Sequence, residues 1–242
     1  MEGMFFRWQA PGPYRVAFST RQGGVSEGPF ASLNLGKRTG DEPERVFENR
    51  TLLCRELEID PARSSMARQK HGAAAQRAEP RGLLSNNSFP ECDALWSEEP
   101  GQGMLLVTAD CLPVAIVRTN GAEPALALAH AGWRGLLAGV LDSAIQALAG
   151  RRTAAVLGPA IGPCCFEVSD EIAARFRRRF GREVVAGGKV DLWLAGEKAL
   201  GEAGCSSVER VEICTACHPE LFFSHRRDQG LTGRQGVIGA IG

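Results

Sequence analysis

The stretch MLLVTADCLPVAIVR, residues 104–118, decides the fold class of this chain. Its two apolar runs predict short buried strands over Met104–Thr108 and Pro113–Arg118, because short apolar runs bounded by turn residues are typical of buried strands. Asp110 and Cys111 lie at the turn between these strands. The stretch therefore brings two chemically reactive side chains to the end of buried sheet.

The next stretch, ALALAHAGWRGLLAGVLDSAIQALAG (residues 125–150), predicts a strand followed by a helix. Ala125–Ala129 is apolar throughout, whereas Trp133–Leu148 has apolar residues at helical spacing, with Gly150 just after it. Ala154–Leu157 is predicted as a further strand. The order strand, helix, strand predicts a crossover between parallel strands.

The rest of the chain mixes strands and helices without strict alternation. We therefore expect an α/β protein, a single-domain layered sandwich over residues 1–242 with a mixed β-sheet covered by helices. The other predicted elements are strands over Tyr14–Ser19 and Val208–Ile213, helices over Pro43–Leu57 and Leu192–Ala203, a helix capped by Ser169 that runs through Phe180, a loop over Gly82–Pro90, and a hairpin turn at Thr119-Asn120-Gly121.

The composition is that of an ordinary globular protein, with 44% hydrophobic and 23% charged residues. The 28 basic and 28 acidic residues cancel, so we expect no nucleic-acid partner. No apolar stretch approaches the ~20 residues of a membrane span, and the N-terminus lacks the layout of a signal peptide. We expect a cytoplasmic protein without a membrane partner, in which the eight cysteines are free thiols or metal ligands.

Three side chains form a candidate metal site. Cys111 and His130 each lie at the end of an apolar run, and His71 lies in the string Gln-Lys-His-Gly. Two imidazoles and one thiolate suit zinc, and three protein ligands leave a fourth tetrahedral position open, as catalytic zinc sites do. Copper also binds imidazole and thiolate, so these ligands do not fix the metal.

Several neighbours of these residues are candidates for catalysis and substrate binding. Arg134 lies in the first turn of the predicted helix after His130, where it is suited to grip a phosphate. Asp110 is a candidate to orient a metal-ligating histidine or to act as a general base; the alternative is a turn residue that caps local N–H groups. Cys111 is itself a candidate catalytic residue, with a small core side chain as the alternative.

A basic, Gly-rich turn near the N-terminus is a second candidate binding element. Arg21 with Gly23 and Gly24 is suited to hold a phosphate or ribose. Asn34 and Gln69 are candidates for amide contacts to a nucleobase or sugar. The alternative for all of them is that they only make turns.

The remaining cysteines and histidines suggest a second metal site only weakly. Cys214, Cys217, His218 and His225 together could hold a structural zinc, but their spacing does not match a common zinc finger, and we do not expect such a site. The vicinal pair Cys164-Cys165 is expected to consist of buried, inert thiols rather than a redox-active pair.

Ordered strings along nearly the whole chain carry a resemblance to a known family. Besides the strings around His71, Cys111 and His130, they are Phe18–Ser26, Ser32–Gly36, Gly158–Val168, Asp191–Trp193, Arg226–Asp228 and Thr232–Gln235. With these strings the chain resembles the YfiH or laccase-domain family, also called the polyphenol oxidase or purine nucleoside phosphorylase family. Lys70 departs mildly from the family pattern, in which a smaller apolar residue is usual at this position.

The resemblance implies a layered α/β sandwich related to the catalytic domain of cytotoxic necrotizing factor, and a monomer. It implies phosphorolysis of adenosine, inosine, guanosine and methylthioadenosine with phosphate, plus deamination of adenosine, with zinc as the cofactor. A polar group must protonate the departing base, and Glu167 is a candidate for it.

Two other functions remain open. One is a copper-dependent polyphenol oxidase, although four histidines in the chain are too few for a blue-copper centre plus a trinuclear cluster. The other is a Cys–His hydrolase, in which Cys111 is the nucleophile and His130 or His71 its base. It predicts activity that needs no metal and that alkylation abolishes.

Overall fold

The computed structural model describes residues 3–84, 88–119, 123–149 and 152–242. The predicted hairpin turn at Asn120-Gly121, the middle of the predicted Gly82–Pro90 loop and Gly150 lie outside the described residues. In chain order the strands are β1 (Phe5–Trp8), β2 (Tyr14–Ser19), β3 (Ser65–Met66), β4 (Ala75–Arg77), β5 (Ala94–Ser97), β6 (Met104–Thr108), β7 (Leu112–Arg118), β8 (Leu126–Ala131), β9 (Thr153–Leu157), β10 (Val185–Ala186), β11 (Lys189–Val190), β12 (Ser207–Arg210) and β13 (Gln235–Ile241). The helices are α1 (Pro43–Glu56), α2 (Trp133–Ala138), α3 (Val140–Ala147), α4 (Asp170–Phe180) and α5 (Leu192–Glu202).

Most of the strands form two mixed sheets. The first has the order β1-β2-β13-β6-β3, and its strands are antiparallel to their neighbours except β3, which is parallel to β6. The second has the order β12-β9-β7-β8-β5-β4, with parallel pairs only at its two edges. Strand β13 pairs with β2, so the two ends of the chain share one sheet.

The two sheets pack face to face between two layers of helices. Phe18 and Leu106 of the first sheet lie in one apolar cluster with Val117 and Leu128 of the second. The outer face of the first sheet packs against α1, and the outer face of the second packs against α2, α3 and α5, with α4 packed against α2 and α5. The inner strands β6 to β9 and β13 are almost uninterrupted apolar runs, because they are buried on both faces, whereas the edge strands β4 and β12 are mostly exposed. The predicted α/β sandwich is confirmed, with two large mixed sheets where one was expected.

Strands that are neighbours in the middle of the chain are not always neighbours in a sheet. Strands β6 and β7 follow each other in the chain but lie in different sheets, so Asp110 and Cys111 are in the segment that passes from one sheet to the other. Strands β8 and β9 are parallel, as predicted, yet β7 lies between them and pairs with both in the antiparallel sense.

The helix predicted over Trp133–Leu148 is two helices in the structure, so that prediction was wrong. Gly139 separates α2 from α3 with a left-handed φ of 89°. Apolar spacing alone did not reveal this break, because glycine adopts such a backbone at no steric cost and the apolar pattern continues on either side.

The other predicted strands and helices that fall within the described residues are present, although the strand predicted over Val208–Ile213 ends at Arg210. Ser169 caps α4 by accepting a hydrogen bond from the N–H of Ile172. The sequence patterns did not identify β13, although it is the central strand of the first sheet. No helix in the described part of the chain is both long and apolar enough to cross a membrane.

Candidate active site

Strand pairing brings Cys111 and His130 together. Leu112 of β7 lies opposite Ala131 of β8, and Pro113 lies opposite His130. Cys111 directly precedes β7 and His130 is the penultimate residue of β8, so both lie at the same end of an antiparallel pair. Two segments that are distant in sequence therefore meet through the register of one strand pair.

Asp93 orients His130. It directly precedes β5, whose first residue, Ala94, pairs with Ala129 of β8. The backbone N–H of His130 donates to the carbonyl oxygen of Asp93 at 2.7 Å, and His130 Nδ1 lies 2.8 Å from Asp93 Oδ1. A carboxylate that accepts the Nδ1 proton leaves Nε2 as the free lone pair, which is the arrangement of a metal-ligating histidine.

The same carboxylate holds the loop that carries His71. Backbone N–H groups of Lys70, His71 and Gly72 donate to Asp93 at 3.0, 2.9 and 2.7 Å. His71 has a left-handed φ of 60°, a conformation that non-glycine residues rarely adopt without such support. These hydrogen bonds and His130 lower the pKa of Asp93, although burial acts in the opposite direction. Sequence reasoning missed Asp93; its one signal was an acidic residue at the start of an apolar run.

The structure brings the three candidate ligands together in a cluster that could hold a metal ion. The donor atoms of His71, Cys111 and His130 all lie within 4.8 Å of one another. The centroids of the two imidazole rings are 4.8 Å apart, in an edge-to-face arrangement. Tetrahedral zinc needs donor atoms about 3.3–3.8 Å apart, from its bond lengths to nitrogen and sulfur. The donor set fits zinc with small side-chain adjustments.

The electrostatics of the cluster favour a thiolate. Burial raises the pKa of Cys111, but the His130 and His71 imidazoles outweigh it and lower this pKa to about 6. Burial lowers the pKa of His130, but the Cys111 sulfur and Asp93 outweigh it and raise this pKa to about 9. Because a thiolate is the metal-binding and nucleophilic form of cysteine, Cys111 is prepared for either role.

The cluster opens into a cavity of about 660 Å³. This size lies within the range of small-molecule sites. Met66, Phe89 and Val107 give the cavity an apolar wall, and His225 adds an imidazole. Five cationic side chains also line it: Lys37, Arg38, Arg50, Arg68 and Arg234.

The arginines of the cavity differ in how many of their donors are already used. Arg50 is buried and donates to the carbonyl oxygens of Leu35 and Leu83, so it supports the wall. Arg68 forms an ion pair with Glu91 at 2.8 Å. Arg234 donates through Nη1 to two neighbouring carbonyls, while its Nε and Nη2 have no acceptor in the described part of the chain.

Gln69 and Asn34 shape the cavity with their amides already paired. Gln69 lines the cavity, and its side chain exchanges two hydrogen bonds with the backbone of Val107. Asn34 is fully buried and its Oδ1 accepts from the N–H of Arg234 at 2.8 Å. Asn34 therefore lies behind the wall, where it fixes the backbone of Arg234.

Asp110 lies outside the cavity lining and does not contact His130. Its carboxylate accepts from Thr215 Oγ1 and from the backbone N–H of Arg226, both at 2.7 Å. Asp110 has a left-handed φ of 89°. These bonds fix the turn before Cys111, and the orienting contact expected of Asp110 is made by Asp93 instead.

Three other predicted residues also lie outside the cavity lining. Arg134 is exposed and stacks over the ring of Trp133 at 4.7 Å. Arg21 donates to the carbonyl of Ala31 and lies over the ring of Phe223. Glu167 is exposed.

Gly132 provides a direct test of the ligand geometry. A Cβ atom at this position would lie 2.9 Å from His71 Cδ2 and 3.0 Å from Cys111 Sγ, so one ligand must move. The Gly132 backbone itself tolerates alanine, with φ −65° and ψ 163°. We expect Gly132→Ala to weaken metal binding at least about tenfold, as outer-shell changes at metal sites do, measured by competition with a chromophoric chelator. Gly201→Ala in α5 is the control, because its Cβ would meet nothing within 4 Å; equal affinities in both variants would contradict the assigned ligand set.

The chain is similar to proteins of known family along most of its length. Residues 15–241 match the model of a family described as multi-copper polyphenol oxidoreductase laccase. A purine nucleoside phosphorylase of Pseudomonas aeruginosa is 38% identical over 237 residues, covering 94% of this chain and 93% of the relative. The purine nucleoside phosphorylase YfiH of Escherichia coli is 37% identical over 236 residues, covering 94% of each chain.

Solved structures give the same result. The crystal structure of YlmD from Geobacillus stearothermophilus matches with a TM-score of 0.91 and 32% identity, covering 100% of this chain and 97% of the other. The crystal structure of a Bacillus licheniformis protein, YfiH, matches with a TM-score of 0.88 and 29% identity, covering 98% and 99%.

Proposed function

Because the chain belongs to the YfiH family of laccase-domain proteins, we propose that it is a zinc-dependent purine nucleoside phosphorylase. Its substrates are adenosine, inosine, guanosine and methylthioadenosine, together with phosphate. The observation that carries the proposal is one cavity of nucleoside size, with the His71–Cys111–His130 cluster and the guanidinium of Arg234 in its wall. That the protein acts in the cytoplasm, and as a monomer, stays a prediction.

Phosphorolysis transfers the sugar from the purine to phosphate. A phosphate oxygen bonds to the anomeric carbon, the glycosidic C–N bond breaks, and its electron pair leaves with the purine, which takes up a proton. The protein must therefore hold an anion beside the sugar and bind a flat base in a defined orientation. A cavity with cationic and apolar walls meets both needs.

Arg234 is the side chain that we assign to phosphate. Its Nη1 is fixed by the carbonyl oxygens of Thr232 and Gly233 at 2.9 and 2.8 Å, which orients the guanidinium. The remaining Nε and Nη2 form the planar fork that binds phosphate in a bidentate manner. Lys37 and Arg38 add positive charge to the same cavity.

The purine is assigned to the apolar wall. Phe89, Met66 and Val107 line the cavity, and an aromatic ring with a thioether neighbour is a suitable surface for a flat heterocycle.

His71, Cys111 and His130 would hold the metal. When bound, zinc would supply Lewis-acid polarisation of a substrate atom. The contribution of Asp93 is to keep the His130 proton on Nδ1 and to hold the His71 loop. Deamination of adenosine at the same cavity, in which water displaces ammonia from the base, is part of the proposal.

The contacts of Cys111 also favour a second candidate, a Cys–His hydrolase. His130 lies between Asp93 and Cys111, which is the order of acid, base and nucleophile in a triad. The lowered pKa of Cys111 suits a nucleophile. Removal of the metal with a chelator distinguishes the two functions. Phosphorolysis is expected to stop, whereas a thiol hydrolase would stay active until Cys111 is alkylated.

The histidines do not favour a multicopper oxidase. His71 and His130 belong to the metal cluster, His225 lines the same cavity, and His218 contacts Glu220 at 3.1 Å. With all four histidines of the chain placed, the ligands for a blue-copper centre and a trinuclear cluster are lacking.

Arg234→Lys tests the phosphate assignment. Lysine keeps the charge but loses the fork, so we expect the KM for phosphate to rise about 10–100-fold, the equivalent of one charge-assisted hydrogen bond of roughly 1.5–3 kcal/mol. The KM for inosine is expected to change little. Arg134→Lys is the matched control, since Arg134 is exposed and outside the cavity lining.

The measurement is initial rate against phosphate concentration, with hypoxanthine and ribose 1-phosphate both quantified. If Arg134→Lys raises the KM for phosphate and Arg234→Lys does not, the phosphate site lies near α2 instead. Equal release of base with and without phosphate would refute phosphorolysis itself.

A further inference from the structure

Four cysteines from two distant segments form a second cluster outside the cavity. Cys164 and Cys165 follow β9, and Cys214 and Cys217 follow β12 in a Cys-x-x-Cys turn. All four sulfur atoms lie within 4.8 Å of one another. Cys214 is buried, Cys165 is half-buried, and Cys164 and Cys217 are exposed, which corrects the expectation that the vicinal pair is buried.

The sulfur separations are those of a metal site rather than of a disulfide. Cys217 Sγ lies 3.5 Å from Cys164 Sγ and 3.4 Å from Cys165 Sγ. Tetrahedral coordination with zinc–sulfur bonds of about 2.3 Å places sulfur atoms about 3.8 Å apart, whereas a disulfide needs about 2.05 Å. Small rotations about the Cα–Cβ bonds would bring all four sulfurs to one centre.

The backbone around Cys214 is arranged to stabilise a thiolate. Gly162 N–H donates to Cys214 Sγ at 3.2 Å, and the N–H groups of Ala216 and Cys217 also point at this sulfur. Gly162 is tightly enclosed, since a Cβ there would lie 3.2 Å from Cys214 Cβ and 3.3 Å from Cys164 Sγ. The two segments are therefore held against each other with their sulfurs converging.

We propose that Cys164, Cys165, Cys214 and Cys217 bind a second, structural zinc ion, separate from the His71–Cys111–His130 site. Four cysteine ligands with no open position are the pattern of structural zinc. The histidines that the sequence suggested as partners lie elsewhere: His218 contacts Glu220, and His225 lines the cavity. Binding replaces the thiol protons, which are released to solvent.

The second site is connected to the first. Thr215, between the two cysteines of the turn, donates to Asp110, the residue before Cys111. Arg226, whose N–H also binds Asp110, donates through Nη1 to the carbonyl oxygens of Cys165 and Glu167. A metal that joins the two cysteine segments would therefore fix the turn that presents Cys111.

The test counts Co²⁺ bound by the full-length, reduced, metal-stripped protein, and follows its visible absorption. We expect two equivalents in the unaltered protein and one in Cys217→Ser and in Cys164→Ser, with loss of most of the absorption of sulfur-coordinated cobalt and only the part from Cys111 remaining. His71→Asn is expected to lose the other equivalent and keep most of this absorption. Cys205→Ser should bind two, because Cys205 belongs to neither cluster.

These counts do not depend on nucleoside turnover, so the proposal and the proposed function fail separately. One equivalent in the unaltered protein, unchanged in Cys217→Ser and Cys164→Ser, would overturn the second site. So would recovery of the reduced, metal-loaded protein with free, alkylatable Cys164 and Cys217. Because both residues are exposed, their serine variants are expected to fold, and circular dichroism checks this.

Discussion

His71→Asn is expected to lose the catalytic metal and to reduce phosphorolysis more than about a thousandfold, which is about 4 kcal/mol of transition-state stabilisation. Asparagine is suited to the left-handed backbone at position 71, so the change removes the imidazole without straining the loop. Because the donor atoms of His71, Cys111 and His130 converge, the remaining two ligands hold zinc much more weakly. Metal content by mass spectrometry and kcat/KM for inosine are the measurements.

His218→Asn is the matched control, since the His218 side chain is 45% exposed, lies outside the cavity lining and pairs with Glu220 at 3.1 Å. It should keep both metal and activity. If His71→Asn retained full phosphorolysis while Cys111→Ser abolished it, the working unit would be the His130–Cys111 pair alone, and the assignment of a metal to the three residues would be wrong.

Asp93→Asn is expected to weaken zinc binding about 10–100-fold and to destabilise the fold by about 3 kcal/mol. The Asp93 side chain is 1% exposed and accepts bonds from three successive N–H groups besides His130. The NH₂ group of asparagine would face at least one of these N–H donors, so at least one hydrogen bond would be lost. His130 would also have a neutral partner in place of a carboxylate. Equilibrium unfolding in urea and metal competition measure the two effects.

Glu91→Gln is the control for this change. Glu91 forms exposed ion pairs with Arg68 and Lys70 in the same region, and such pairs contribute less than about 1 kcal/mol. If Asp93→Asn left both metal affinity and the free energy of unfolding within the range of Glu91→Gln, the carboxylate would have no part in orienting His130.

The sequence was most informative where structure depends on neighbours in the chain. The strands around Cys111 and His130 and the Ser169-capped helix follow from local apolar patterns and capping. The division of β6 and β7 between two sheets could not be predicted from local patterns. It depends on β13, which lies at the far end of the chain and pairs with β6.

The residues of the candidate site also differ in how far the sequence alone predicts them. The convergence of His71, Cys111 and His130 was predictable, because soft side chains at strand ends and in the family signature pointed to them as one candidate metal site. Asp93 could not be predicted, because it reaches His130 only through the pairing of β5 with β8.

The four-cysteine cluster was missed for a similar reason. Its halves lie 53 positions apart in the chain, and the short motifs that predict zinc sites did not join them. The isolated Cys-x-x-Cys turn pointed to the histidines beside it instead, whereas β9 and β12 are parallel neighbours that bring the two segments together.

We propose that a metal held by His71, Cys111 and His130 makes this chain a nucleoside phosphorylase. The most direct measurement is ribose 1-phosphate formation from inosine and phosphate by protein stripped with a chelator and then given back zinc. We predict no product from the stripped protein, recovery with zinc in the unaltered chain, and no recovery in His71→Asn. Ribose 1-phosphate formation at an equal rate without metal, or none in the zinc-loaded protein, would contradict the account.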